Sequence, residues 1–140
     1  MYDDIQFLTK EHIYLIHENA IQTFGGTDGV YDITDGRIES ILSQQFPIFD
    51  YEKYPSVFQK AAMLLYLFTK GHCFVDGNKR VGIQSAIVFM SLNGYEDSLE
   101  DEEGYNKTME VSISQISEDL RDDYIDSLAN WLSYKFISIE

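Results

Sequence analysis

The sequence is short of cysteine, proline and positive charge, and each shortage excludes a class of protein. A single cysteine, Cys73, permits no disulfide framework within the chain. Two prolines and the absence of Gly/Ser or Pro tracts leave no low-complexity linker, and no repeat is visible, so the 140 residues are read as one domain, 1–140. No apolar run approaches the roughly 18 residues that span a bilayer, and the opening MYDDIQFLTKEH lacks the basic start and apolar stretch of a secretory leader. The expectation is a cytoplasmic protein with no membrane partner. Ten lysines and arginines stand against 24 aspartates and glutamates, a formal net charge of −14 that repels phosphate backbones. No nucleic-acid partner is expected. The acid-rich stretches EDSLEDEEG and SEDLRDDY read either as solvated loops and helix ends or as a docking patch.

What is present is helical periodicity. Ile13, Ile16, Ala20, Ile21 and Phe24 recur at three- and four-residue steps, with Thr9 as a cap, Leu8 and Ile13 as a hydrophobic staple, and Gly25 as a stop. DGRIESILSQQ predicts a shorter amphipathic helix. Ser56 and Gln59 stand at capping-box spacing before a helix that carries Ala61, Leu64, Leu65 and Phe68 inward and ends at Gly71. VGIQSAIVFMSL, apolar nearly all round, predicts a central helix from Val81 to Leu92 that stops at Asn93 and Gly94. Two more are expected near Gly104 to Ile116, facing inward through Tyr105, Met109 and Ile113, and near Asp123 to Phe136, through Tyr124, Leu128, Trp131 and Leu132. Phe46, Ile48, Tyr51 and Tyr54 sit among Pro47 and Pro55, which suits an extended flap or small hairpin rather than a helix. The fold class is all-α, a bundle of six to seven helices with one short flap.

Between the two strongest helices lies TKGHCFVDGNKRVGIQ. Asp76 is placed to cap the second helix, whose first N–H groups and positive end form an anion site. Gly77 permits close backbone approach, and Lys79 and Arg80 reverse the local sign of charge. A phosphate is the natural occupant. An aspartate can hold Mg²⁺ while substrate phosphates complete its shell, and an imidazole can take a proton from an attacking hydroxyl. Asp76 and His72 supply these groups, and Phe74 between them reads as a core plug. Together they describe transfer of a phosphorus centre from a nucleotide to a hydroxyl. His12 and His17, on the first helix, lack the spacing of a zinc motif and read as surface or packing residues.

His72-x-Phe74-x-Asp76-Gly77-Asn78-Lys79-Arg80 resembles the signature loop of the Fic superfamily, and of its death-on-curing (Doc) branch in particular. LTKEHIYLIHENAIQTFGGTDGVYD, YPSVFQKAAMLLYLFTKGH and FMSLNGY are similar to the Doc framework in order and spacing, from about Leu8 to about Tyr95. The resemblance implies His72 as general base, Asp76 as the Mg²⁺ ligand, Gly77, Asn78 and Lys79 as an anion nest, and Arg80 as holder of a terminal phosphate of ATP or another nucleoside triphosphate. It implies that the flap from Phe46 to Tyr54 clamps an extended segment of a protein substrate.

The chain departs from the widespread Fic pattern in carrying Lys79 in place of a glycine, and Gly82, Ile83 and Gln84 where a second arginine stands. Members with this lysine look like kinases of a translation factor that act as toxins. The resemblance therefore implies phosphorylation of a Ser or Thr hydroxyl; AMPylation, or a non-catalytic nucleotide-binding docking module, are the alternatives. Cys73 replaces a proline common in the family and reads as a small buried residue. The inhibitory Ser/Thr-to-Glu spacing of many Fic proteins is not met at Glu18 or Glu103, where Tyr14 and Leu99 stand four residues earlier. Control by a separate antitoxin protein is the implied arrangement.

Overall fold

The computed structural model describes residues 5–139, so the first four residues of the opening segment and the final residue lie outside it. Six helices run in the order α1 (Lys10–Phe24), α2 (Thr34–Ser43), α3 (Val57–Lys70), α4 (Asn78–Leu92), α5 (Asp101–Ile113) and α6 (Glu118–Lys135). Two three-residue strands, β1 (Tyr95–Asp97) and β2 (Phe136–Ser138), pair antiparallel with Glu96 opposite Ile137. The all-α expectation holds, with this small sheet added.

Local chemistry sets the helix starts. Thr9 Oγ1 accepts from the His12 amide while Thr9 N–H donates to His12 Nδ1, and Ser56 and Gln59 make the same reciprocal pair at α3. Gly25 stops α1 at a φ of 84° that a side chain would strain. α5 begins at Asp101, ahead of the expected Gly104, because Glu103 reaches back to the Glu100 amide and three acidic residues fill its first turn, where the helix dipole favours them. It also ends three residues early, at Ile113.

α3 and α4 form the central pair; α1 packs on α4, α6 on α3, and α5 against both. Met63, Leu64, Leu65 and Phe68 of α3 and Phe89 and Met90 of α4 are inaccessible to solvent in the core that these helices share. Gly82 makes the closest approach possible: a Cβ there would lie 2.0 Å from Thr69 Oγ1 and 3.1 Å from the Leu65 carbonyl. The expected inward face of α5 is corrected. Tyr105 and Ile113 are exposed, and Gly104, Thr108 and Val111 turn inward, small enough for α5 to lie close to Ile83 on α4.

The flap is a minimal hairpin. Ile48 and Tyr51 exchange both backbone hydrogen bonds across Phe49 and Asp50, whose positive φ values (50° and 66°) give the twist of a two-residue turn. Its tip, Phe49, is almost wholly exposed, whereas its base is anchored. The Lys60 ammonium, fully buried, donates to Glu52 Oε1 (2.6 Å) and the Tyr54 carbonyl (2.5 Å).

The Gly82 contact generates a test. Alanine gains up to about 1 kcal/mol of helix propensity over glycine, but overpacking a tight seam costs about 1–3 kcal/mol. Gly82→Ala should therefore lower the denaturation midpoint, and adding Thr69→Ala should recover part of the loss. A more stable single variant would show that α3 and α4 are not locked together here.

Candidate functional site

The loop from His72 to Gly77 joins α3 to α4, and several polar groups of its backbone are tied to other elements. Arg37 Nη1 donates to the His72 carbonyl (2.7 Å), and the Thr34 hydroxyl donates to that of Cys73. Asn78 clips the loop from within, its Oδ1 accepting from Phe74 N–H (3.0 Å) and its Nδ2 donating to the Phe74 carbonyl (2.9 Å). Val75 N–H donates to Gly29, and His17 Nε2 donates to the Asp76 carbonyl (2.9 Å). His17 also stacks on Phe74, with ring centres 3.8 Å apart and planes 5° from parallel.

Phe74 is buried, so the loop hangs from a plug in the core. Cys73 beside it is also buried, and burial pushes its thiol up to about 11, leaving it protonated and unreactive at neutral pH. His72 itself is exposed and held at a φ of 48°, a conformation a β-carbon disfavours and that loops retain where the surroundings over-determine it.

Asp76 does not cap α4. Its Oδ1 accepts from Gly77 N–H (2.8 Å) and its Oδ2 from Thr27 N–H (3.1 Å), and Gly77, at a φ of 83°, starts the helix without a side-chain cap. The Thr27 and Gly77 amides, ahead of the Lys79 charge, hold the Asp76 carboxyl below its ordinary value, so it is ionised at neutral pH. The first helical bond of α4 runs from Val81 N–H to the Gly77 carbonyl. The N–H groups of Asn78, Lys79 and Arg80 precede it and have no intrahelical partner.

This helix end opens on a cavity of about 1020 Å³. His72, Asp76, Gly77, Asn78, Lys79 and Arg80 all line it, together with residues of α5 and the acidic Glu100, Asp101 and Glu102. Six of the seven signature residues thus line one cavity, and the seventh, Phe74, is buried in the core. Among the described residues no three His, Cys, Asp or Glu side chains gather as a cage for a metal. A cation held here would rest on Asp76 with ligand oxygens, the mode that suits Mg²⁺.

His17, read from the sequence as a surface or packing residue, is a buried packing residue, and what that reading did not include is its bond to the Asp76 carbonyl. Thr27, Thr34 and Arg37 gave no signal, because their partners, the Asp76 carboxylate for Thr27 and loop carbonyls for Thr34 and Arg37, are distant in sequence.

His17→Phe keeps a ring for the stack on Phe74 and removes the donor to Asp76. Loss of one ordinary hydrogen bond should speed amide exchange at Val75 and Gly77 about fivefold while the helices stay protected. Unchanged exchange at both amides would show that the loop does not depend on His17.

Comparison with known proteins agrees with this geometry. Residues 7–90 match the model of the Fic/DOC family, a span that ends inside α4 and includes the whole loop. A protein of Escherichia phage P1 named Protein kinase doc is 32% identical over 121 residues, covering 84% of this chain and 94% of its own length. A protein of Mycolicibacterium smegmatis named Toxin Doc is 31% identical over 90 residues, 64% of this chain and 65% of its own. With its signature residues gathered at the N-terminus of α4 and more than half its length matching the family model, the chain belongs to the Fic/DOC family.

Proposed function

We propose that this protein is a Doc-like toxin that transfers the γ-phosphoryl group of ATP, or another nucleoside triphosphate, to a Ser or Thr hydroxyl of a target protein, with a translation factor the expected class. The observation that carries the reading is the placement of His72, Asp76, Lys79 and Arg80 around one cavity at the positive end of α4. The names of the two relatives, a protein kinase and a toxin, support it.

In this reading the Asn78, Lys79 and Arg80 amides receive phosphate oxygens, and the Lys79 and Arg80 side chains neutralise charge that the cavity's acidic wall would otherwise repel. Asp76 would hold Mg²⁺, which when bound supplies charge neutralisation at the phosphate oxygens. His72, exposed at the cavity, takes the proton of the target hydroxyl as its oxygen forms a bond to the γ-phosphorus. The bond from that phosphorus to the bridging oxygen breaks, and the nucleoside diphosphate leaves with the electron pair. Cavity and flap lie on the same chain, and the exposed tip of the flap, Phe49, with the exposed Ile48 and Tyr51 beside it, offers an extended target segment an edge and apolar side chains. A separate antitoxin protein is the proposed partner that restrains the activity.

The test is incubation of the purified protein with bacterial lysate and Mg²⁺, in parallel with α-labelled and γ-labelled ATP. Label from γ-ATP alone should appear on a protein band, and His72→Ala should reduce it by about a hundredfold or more, the scale of a lost general base. Label from α-ATP would replace the kinase reading with AMP transfer, and label that survives His72→Ala would remove His72 from the chemistry.

A further inference from the structure

No hydrogen bond or ion pair restrains the Arg80 guanidinium among the described residues; what it touches is an aromatic ring. Arg80 Cζ lies 3.5 Å from the centre of the Phe24 ring, a separation that only a near-parallel stack of the two planes allows without overlap. Phe24 is the last residue of α1, 56% exposed, and it lines the same cavity. Its place is fixed by its own helix, since the next amide, Gly25 N–H, closes the final turn onto Ile21, and α1 packs on α4. The ring therefore reaches the signature stretch from an element that contributes nothing else to the charged wall.

A free arginine side chain carries considerable rotamer entropy, which a ligand must overcome when it binds. Stacking removes part of that freedom beforehand. It does so without consuming donors, because the ring covers a face of the guanidinium while the N–H groups lie in its plane, free to grip two oxygens of one phosphate.

We propose that Phe24 is a positioning residue for Arg80: its ring holds the guanidinium flat at the cavity mouth so that the in-plane donors are set for a nucleotide phosphate. The inference rests on the reading of Arg80 as a phosphate holder, and it assigns the aromatic end of α1 to the same task.

The experiment is measurement of the dissociation constant for the Mg²⁺ complex of a non-hydrolysable ATP analogue, in the wild type, Phe24→Leu, Phe24→Trp, Arg80→Ala and the Phe24→Leu/Arg80→Ala double variant. Circular dichroism serves as the fold control. Phe24→Leu keeps an apolar side chain and loses the ring face; it should weaken binding about two- to fivefold, the scale of an exposed cation–π contact. Phe24→Trp, which preserves that face, should bind at least as well as the wild type. In the Arg80→Ala background Phe24→Leu should change nothing further, the non-additivity expected of residues that act as a unit.

A Phe24→Leu variant that binds normally while Arg80→Ala binds weakly would overturn the positioning role and leave the phosphate reading standing. An equal loss from Phe24→Leu with and without Arg80 would also overturn it, since the ring would then act on the nucleotide directly. An Arg80→Ala variant with unchanged affinity would remove the phosphate reading and this inference together.

Discussion

Everything at the site depends on leaving three backbone N–H groups of α4 without partners while fixing the loop that precedes them. An unpaired helix end facing an open cavity is stable only in water or against an anion, and it is useful only if its position does not drift. The loop is therefore held from several sides. Arg37 and Thr34 reach it from α2, His17 from α1, and Thr27 and Gly29 from the intervening connection, while Asn78 clips it from the first turn of α4 itself. Phe74 anchors the middle of the loop in the core. Apart from the Thr27 bond, which ends on the Asp76 carboxylate, these bonds end on carbonyls and amides of the loop and leave the side chains of His72, Lys79 and Arg80 free for a ligand.

Charge is organised on the same plan. A net charge of −14 makes the protein as a whole a poor anion binder, so the local excess of Lys79, Arg80 and the α4 dipole has to act at short range. The acidic stretch around Glu100 to Glu103 opens α5, where its carboxylates meet a positive helix end and Glu103 pairs with Lys135. SEDLRDDY likewise opens α6 with Glu118 and Asp119 in its first turn. Both are helix ends of the kind the sequence suggested. The first additionally lines the same cavity as Lys79 and Arg80, through Glu100, Asp101 and Glu102.

The elements legible in the sequence were those fixed by nearby residues. Thr9 with His12, and Ser56 with Gln59, act over three positions, and the signature loop is a contiguous run, so both could be read without any knowledge of tertiary contacts. What escaped depends on distant partners. β1 and β2 are three residues each, too short for an alternating pattern, and pair across some forty positions of chain. The face of α5 was misread because Tyr105 and Ile113 look like core residues, whereas close approach to Ile83 needs the small Gly104 and Thr108. Lys60 would ordinarily be placed at the surface; its burial follows from Glu52 and the Tyr54 carbonyl, acceptors that exist only once the flap has folded back. Asp76 was expected to cap α4 because aspartate before a helix usually does, but Thr27 competes successfully for its free oxygen.

The central claim is that the N-terminus of α4 receives the nucleotide's phosphates with Asp76 beside them. A crystal structure of the His72→Ala variant with Mg²⁺ and a non-hydrolysable ATP analogue tests it most directly. Phosphate oxygens within hydrogen-bond distance of the Asn78, Lys79 and Arg80 amides, with the cation on Asp76, are the predicted result. A nucleotide bound elsewhere, or one whose phosphates turn away from these amides, would contradict the account.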